Sequence, residues 1–382
     1  MKVLLINSVL GRGSTGRICA DLANALHARG DVVCAAYGRG DVPTECRPYA
    51  LRIGNSVDVY MHGICSRLTD HHAFFSSAAT RRFVRAAERF DPDVIHIHNL
   101  HGYYLHLPTL VTYLCNAGKP VIWTLHDCWP FTGHCAHYTA IGCRKWRSGC
   151  GCCPALRSYP AALRDRSAEN YREKREQFSS ISNLTLVAPS EWLTQEISKS
   201  FLGQLPIFTI PNGVNLDRFH PNSGSLREQL VPNGERLLLA VSGIWNREKG
   251  LEDLIKLASR LPASDRLVVA GLTERQRRQL PEGIVGITHT ACETDLAALY
   301  SAADVLLNLT YADTYPTVNL EALACGTPVI TYRSGGSPES ASVVVEPGDL
   351  DSVLDALRCL ECLSIPEVPL DRRGAVDAYL RL

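Results

Sequence analysis

Several things are missing from this 382-residue chain, and each absence narrows what it can be. There is no excess of charge of either sign, since 39 Lys and Arg balance 39 Asp and Glu. A balanced chain offers a polyanion no global attraction, so composition gives no reason to expect a nucleic-acid partner. No run approaches the ~20 apolar residues of a membrane span. The opening MKVLLINSVLGRG has too short an apolar stretch for a secretory signal. A cytoplasmic location is the expectation. Internal repeats and low-complexity tracts are absent. So is a convincing D-x-D pair for a divalent ion: Asp91-Pro-Asp93 has the spacing, but it reads as the turn entering a strand. No catalytic metal is expected.

Hydrophobic residues make up 46% of the chain and charged residues 20%, the balance of an ordinary globular protein. The length suits two domains. Fifteen cysteines in a reducing compartment read as thiols or metal ligands rather than as a disulfide framework.

The first half alternates short apolar runs with amphipathic stretches. Strands are expected at 2–7, 32–37, 94–98 and 120–125, and helices at about 15–28, 83–90 and 110–116. A second series starts after residue 210, with strands at 237–242, 267–270, 285–288, 305–309 and 329–331. Helices around 251–259, 295–302 and 318–324 separate them. Such alternation builds parallel sheets covered by helices, an α/β fold. Between the two series lies Ile210-Pro-Asn-Gly-Val-Asn215, a turn signal that sets the domain boundary. Domains 1–209 and 210–382 follow, each Rossmann-like, facing each other across a cleft with ligands at the carboxyl ends of the strands.

Residues 310–330, TYADTYPTVNLEALACGTPVI, carry the strongest functional signal. Asp313 sits on a loop ahead of a helix, and Pro316 stands at the helix start, where a missing N–H costs nothing. Thr317 and Val318 open that helix, and Glu321 follows on it. Free N–H groups at a helix start suit a phosphate. Carboxylates accept hydrogen bonds from hydroxyls. Phosphate beside hydroxyls describes a nucleotide sugar, although an ordinary strand–loop–helix would look much the same.

Three glycine-containing loops fit the same idea. Gly11-Arg-Gly-Ser-Thr-Gly-Arg17, which includes Gly13, joins the first strand to the first helix. It meets the G-x-G-x-x-G spacing, but no acidic residue closes the second strand as the dinucleotide fingerprint requires. Ser242-Gly-Ile-Trp-Asn-Arg-Glu-Lys-Gly250 offers Arg247 and Lys249 to a diphosphate. Arg333-Ser-Gly-Gly-Ser-Pro-Glu339 presents the backbone of Gly336. Each alone is also a plain turn.

Together these segments resemble the donor site of retaining glycosyltransferases of family 4, which have the GT-B fold. Glu321, Ala322, Ala324, Cys325, Gly326, Pro328 and Val329 match the family's signature of two glutamates with seven residues between, followed by A-x-A-C-G-x-P-V. Asp313 stands where the first glutamate usually stands, and Ile244 where an arginine usually follows the glycine. The I-P-N-G-V-N segment is similar to the family's interdomain linker.

The resemblance implies transfer of a sugar from a UDP- or GDP-sugar to a hydroxyl of a glycan or lipid-linked acceptor, with retention at the anomeric carbon, in exopolysaccharide assembly. Lys249, Arg247, Thr317, Val318, Glu321 and Gly336 would hold the donor, and Asp313 would serve catalysis together with His126 and Asp127. Gly13 would lie near the donor diphosphate or the acceptor. A lipid-linked acceptor would bring the enzyme to the cytoplasmic face of a membrane, although no amphipathic basic helix is legible. A nucleotide-sugar epimerase of the same fold, or a non-catalytic nucleotide-sugar binding protein, are the alternatives.

Thr124-Leu-His-Asp127 ends a strand of the first domain, which aims His126 at the cleft. In the family this histidine lies beside the anomeric centre, and Asp127 would orient it. His96 and His98 share one face of the preceding strand, and His98 is expected to line the cleft.

Residues 128–153, CWPFTGHCAHYTAIGCRKWRSGCGCC, replace what is normally a short loop and hold six cysteines. Cys150-x-x-Cys153 has the spacing of a zinc half-site, and Cys135 and Cys143 could complete four thiolates. Cys152 and His137 are alternative ligands. A set of buried thiols without metal is the other reading.

Overall fold

Short apolar runs bounded by glycine and proline become parallel strands along the whole chain. The structure is a computed structural model and describes residues 1–222, 224–290 and 292–382. It divides into two units, Met1–Ile210 and Pro211–Leu382.

The first unit is a seven-stranded parallel sheet. Its strands are β1 (Lys2–Asn7), β2 (Val32–Tyr37), β3 (Ala50–Arg52), β4 (Val94–Ile97), β5 (Val121–Thr124), β6 (Leu184–Ala188) and β7 (Ile207–Thr209), in the order β3-β2-β1-β4-β5-β6-β7. The second unit has six: β8 (Arg236–Val241), β9 (Asp265–Ala270), β10 (Ile284–Ile287), β11 (Val305–Asn308), β12 (Val329–Tyr332) and β13 (Val343–Val345), in the order β10-β9-β8-β11-β12-β13. In each sheet the order reverses beside the first strand, at β1/β4 and at β8/β11. A reversal of this kind opens a crevice at the carboxyl ends of the strands, where such folds bind ligands.

The central strands are apolar over most of their length, as a sheet covered on both faces requires. Leu4, Leu5 and Ile6 of β1 are fully buried, as are Leu237, Leu238 and Leu239 of β8. Each such side chain stabilises its unit by roughly 1.5–3 kcal/mol relative to exposure. Trp123 of β5 packs edge-on against Phe178, ring centroids 4.6 Å apart. Its indole N–H donates to the His98 carbonyl at 2.7 Å, so a large buried ring keeps its one polar atom paired.

Three helices of the first unit matter below: α1 (Gly13–Ala28), α2 (Ser56–Thr69) and α3 (Ser77–Phe90). The strands expected in this unit are present, with α1 starting two residues earlier than read. Strand β3, helix α2, strands β6 and β7 and the first half of α3 were not legible in the periodicity. Pro316 proves to be the cap residue just before the Thr317–Ala324 helix rather than its first turn.

Candidate functional site

In the second unit the segment 310–313 and the turn 247–249 are bound to each other. Asn246 caps the turn, its side-chain oxygen accepting from the Lys249 amide at 3.0 Å. The turn ends at Gly250, whose φ is 75° and where a Cβ would stand 2.0 Å from the Leu309 carbonyl oxygen, so only glycine fits. The Glu248 carbonyl accepts from the Tyr311 amide at 2.7 Å and from the Thr310 hydroxyl at 3.2 Å. The Tyr311 and Tyr332 hydroxyls both donate to the buried carboxylate of Asp253, at 2.5 and 2.9 Å. Sequence reading missed Asp253, because its role depends on two tyrosines far away in the chain.

This frame aims Lys249 at Asp313. The ammonium lies 2.7 Å from the Asp313 carboxylate and 3.3 Å from the Ala312 carbonyl. The pair is partly open to solvent, with 29% and 22% of the side chains exposed, so a ligand can reach it. The next loop closes on the same residue: the Gly336 amide donates to the Asp313 carbonyl at 3.1 Å. Gly335, at φ 56°, passes so near that carbonyl that a Cβ would stand 1.8 Å from its oxygen. Three of the expected donor loops therefore meet around Asp313.

Glu321 lies on the Thr317–Ala324 helix and is 3% exposed. The Tyr300 hydroxyl donates to its carboxylate at 2.9 Å, which fixes the orientation of the group. Pro316 caps the helix without a side-chain hydrogen bond, so no side chain of its own occupies the helix start. Thr317 and Val318 are partly exposed there, and Arg247 is exposed on the facing turn. A cavity of about 400 Å³ opens beside Gly243, Ile244, Trp245, Gly271 and Gln276, at the carboxyl ends of β8 and β9. Its size falls among those of ligand pockets. Ile244 is 75% exposed at its rim.

The first unit carries a second cluster, at the ends of β4 and β5. His98 Nδ1 and His126 Nε2 lie 2.9 Å apart, and the rings of His96, His98 and His126 stack in sequence. His96 also bonds the Thr124 hydroxyl at 2.8 Å. Burial holds all three imidazoles below their usual range: His96 to about 3, His126 to about 4, and His98 well down. At His126 the Asp127 charge opposes that effect without overcoming it. These rings are neutral at physiological pH.

Asp127 was expected to orient His126. One of its carboxylate oxygens bonds His101 Nε2 at 2.6 Å and the other accepts from the Trp129 amide at 2.9 Å, and its charge favours a protonated His126. Burial would raise the Asp127 carboxyl, but His101 and the Trp129 amide hold it down at about 2. His98 was expected to line a cleft, but it is fully buried, with Nε2 unpartnered. His126, at 9%, is the more accessible of the two. Gly13 is exposed at the start of α1.

The cysteine-rich loop packs on Trp146, Phe131 and Tyr138. Cys135, Cys143, Cys150 and Cys153 line one small cavity with His134 and Trp146, while Cys152 is exposed. The Gly133 amide donates to Cys150 Sγ at 3.1 Å. Among the described residues, no three His, Cys, Asp or Glu side chains converge closely enough to hold an ion as they stand.

Two parallel Rossmann-like sheets with these loops define the GT-B glycosyltransferase class. Residues 15–218, more than half of the chain, match the family described as Glycosyltransferase Family 4, and residues 235–361 match Glycosyl transferases group 1. The chain belongs to glycosyltransferase family 4. The putative colanic acid biosynthesis glycosyl transferase WcaC of Escherichia coli is 26% identical over 361 residues, covering 89% of this chain and 85% of that protein. Among solved structures, Alr3699/HepE of Anabaena in complex with UDP and glucose superposes with a TM-score of 0.69 at 16% identity, covering 100% of this chain and 98% of that one. Sucrose-phosphate synthase of Thermosynechococcus elongatus gives 0.66 at 17% identity, covering 100% and 94%. Among the described residues no helix is long and apolar enough to cross a membrane.

Proposed function

We propose that this glycosyltransferase moves a hexosyl group from a nucleoside diphosphate sugar to a hydroxyl of a glycan or lipid-linked acceptor in polysaccharide assembly, with retention. The observation that carries the reading is the convergence of Lys249, Asp313 and the Gly335–Gly336 loop beside a helix start left open by Pro316. Lys249 and the amides at Thr317 and Val318 would neutralise the diphosphate, with the Gly336 amide holding the Asp313 backbone in place beside them. Arg247 would add a second cation from the same turn. Glu321, held by Tyr300, and Asp313 would accept hydrogen bonds from the sugar hydroxyls. The relative described as a putative colanic acid biosynthesis glycosyl transferase and the neighbour solved in complex with UDP and glucose support the substrate class.

In this reading no protein nucleophile is needed. The bond from the anomeric carbon to the diphosphate oxygen breaks as the acceptor oxygen bonds the same face. The acceptor proton passes to the departing diphosphate, whose charge Lys249 stabilises. His126 would hydrogen-bond a sugar hydroxyl as a neutral imidazole, which suits a group whose pKa is held at about 4.

Thermal unfolding against a panel of UDP-, GDP-, ADP- and dTDP-sugars tests the reading. A ligand selective for the native state adds RT ln(1 + [L]/Kd), about 2.7 kcal/mol at a hundredfold excess. A rise with one nucleotide class, lost in Lys249→Ala, is expected. No rise with any would sink the donor assignment, and binding without transfer to any acceptor would favour a non-catalytic binding protein.

We also propose that Cys135, Cys143, Cys150 and Cys153 take a structural zinc ion. Their shared cavity and the Gly133 N–H to Cys150 Sγ bond support it. Binding would require the sulfurs to draw together. Metal analysis of purified protein before and after chelation decides the matter: one zinc per chain and a lower Tm on its removal are expected, and metal-free protein of unchanged Tm would end the idea.

A further inference from the structure

Asp127 is joined to His101, and His101 in turn carries a third group. Its Nε2 lies 2.6 Å from the Asp127 carboxylate, and its Nδ1 lies 3.2 Å from the Tyr159 hydroxyl. Carboxylate, imidazole and phenol form one chain. The direction of its hydrogen bonds follows from charge. Asp127 is held at about 2, so it is ionised and can only accept. His101 Nε2 therefore carries a proton and donates to it. In the neutral ring Nδ1 is then an acceptor, and the Tyr159 O–H donates to it. The phenol oxygen keeps lone-pair capacity for the O–H of a ligand.

The chain runs from the interior to the surface. Asp127 and His101 are each 7% exposed, whereas Tyr159 is 45% exposed. His101 follows β4 and Asp127 follows β5, at the carboxyl ends of their strands and next to the β1/β4 reversal, where this kind of sheet binds ligands. The surroundings of the phenol are built rather than incidental. Tyr103, two residues beyond His101, has a φ of 68°, a left-handed conformation that is costly for a bulky side chain and recurs at functional sites. Its ring packs edge-on against that of Tyr159, with centroids 6.4 Å apart. Burial raises the Tyr159 phenol above its usual range and the Arg39 charge opposes that rise, so the hydroxyl keeps its proton at physiological pH. Arg39 itself follows β2, and its buried Nε has no partner.

The cysteine-rich insertion delivers Tyr159 to this place. The Ala136 amide donates to the Tyr159 carbonyl at 3.5 Å. The Ser158 and Ala162 amides close the segment on the Ala155 and Leu156 carbonyls, at 2.8 and 2.9 Å. The loop thus supplies the outermost member of a chain whose inner members come from the strand ends.

We infer that Tyr159 accepts a hydrogen bond from a sugar hydroxyl of the acceptor, with His101 and Asp127 as positioning residues that aim it. The inference rests on the reading of the chain as a transferase with a glycan acceptor, and it names a contact for that acceptor. The hydroxyl bound is not the one that reacts, because the reacting hydroxyl gives its proton to the departing diphosphate. Such a contact selects among acceptors, since an analogue without the hydroxyl leaves the site's polar group unpaired.

The test needs no nucleotide. The methyl glycosides of glucose, galactose, mannose and fucose are titrated into the full chain carrying isotope-labelled tyrosine rings, and the Tyr159 resonance is the one absent from Tyr159→Phe. At least one glycoside is expected to shift that resonance. Its affinity, read on the sugar's own proton signals, should fall about tenfold in Tyr159→Phe at unchanged Tm. His101→Ala should lose as much alone and nothing further in the Tyr159→Phe background, whereas a merely structural histidine would cost binding in both. Should His101→Ala fail to fold, Tyr159→Phe decides by itself. No shift with any of these glycosides, or parental affinity in Tyr159→Phe, would overturn the inference, and additive losses would overturn the positioning role of His101. Nucleotide-sugar binding that persists where no glycoside binds would end this contact and leave the donor reading in place. Glycoside binding that depends on Tyr159 in a chain that binds no nucleotide sugar would do the reverse.

Discussion

Lys249 holds a position where the same side chain serves two partners. In the free protein it pairs with Asp313 at 2.7 Å in a half-open setting. Pairs of that kind contribute little to stability. Lys249→Ala should therefore leave Tm nearly unchanged, yet weaken nucleotide binding by the ~1.5–3 kcal/mol of a charge-assisted contact. Calorimetric titration with the nucleotide selected by the ligand panel measures it, and parental affinity would remove Lys249 from the site. Glu321 makes a different prediction. If it grips the sugar and not the phosphates, Glu321→Ala should bind the nucleoside diphosphate as the parent does and lose the extra affinity for the nucleotide sugar. Equal losses for both ligands would assign it to general folding of the helix.

At the scale of elements, loops rather than helices and strands set the donor site. The Gly335–Gly336 loop is the clearest case. Gly335→Ala places a methyl group 1.8 Å from the Asp313 carbonyl oxygen at a φ of 56°. The loop must then move, costing more than ~1 kcal/mol. We expect a lower Tm and weaker nucleotide binding together, read by unfolding and titration on one sample. Parental values for both would mean that Asp313 does not depend on this loop. The donor loops were legible in the sequence because Lys249, Gly250, Glu321 and Gly336 are close to motifs of fixed spacing. Helix α2 was not, because sequence periodicity reports which face is apolar and not which way that face points. Val57, Tyr60, Met61, Ile64 and Leu68 share one face of the helix, and only the buried positions of His62 and Ser66 show that this face points outward. The bond from His101 to Asp127 was illegible for a related reason: the two residues lie on different loops of the chain.

For the whole molecule, the buried imidazoles make stability depend on acidity. His126 is held at about 4 and His62 and His96 at about 3, all by burial, against the ordinary 6.5. The unfolded chain therefore takes up protons that the native state refuses, and stability rises with pH where that difference exists. The contribution of these groups is complete above pH 6.5 and is lost as pH falls from there toward 4 and 3. Asp127, depressed to about 2, adds a further loss below its ordinary 3.8. Tm followed across this range should fall steadily below pH 6.5, and His126→Gln should flatten part of the fall. A Tm independent of pH between 6.5 and 4 would contradict the burial of the cluster.

The sequence by itself determined two α/β domains, a boundary near Ile210-Pro-Asn-Gly, and the residues from which a donor site could be made. These follow from local rules: apolar runs of strand length, turn residues, and motifs whose spacing carries their chemistry. The tertiary structure decided which of those residues meet. It bound the 247–249 turn to Tyr311, closed Gly335 onto Asp313, gave Glu321 its partner in Tyr300, and joined Asp127 to His101. It also faced the apolar stripe of α2 outward. Contacts between residues far apart in the chain arise only when the strands take their order in the sheet, and no local pattern encodes that order.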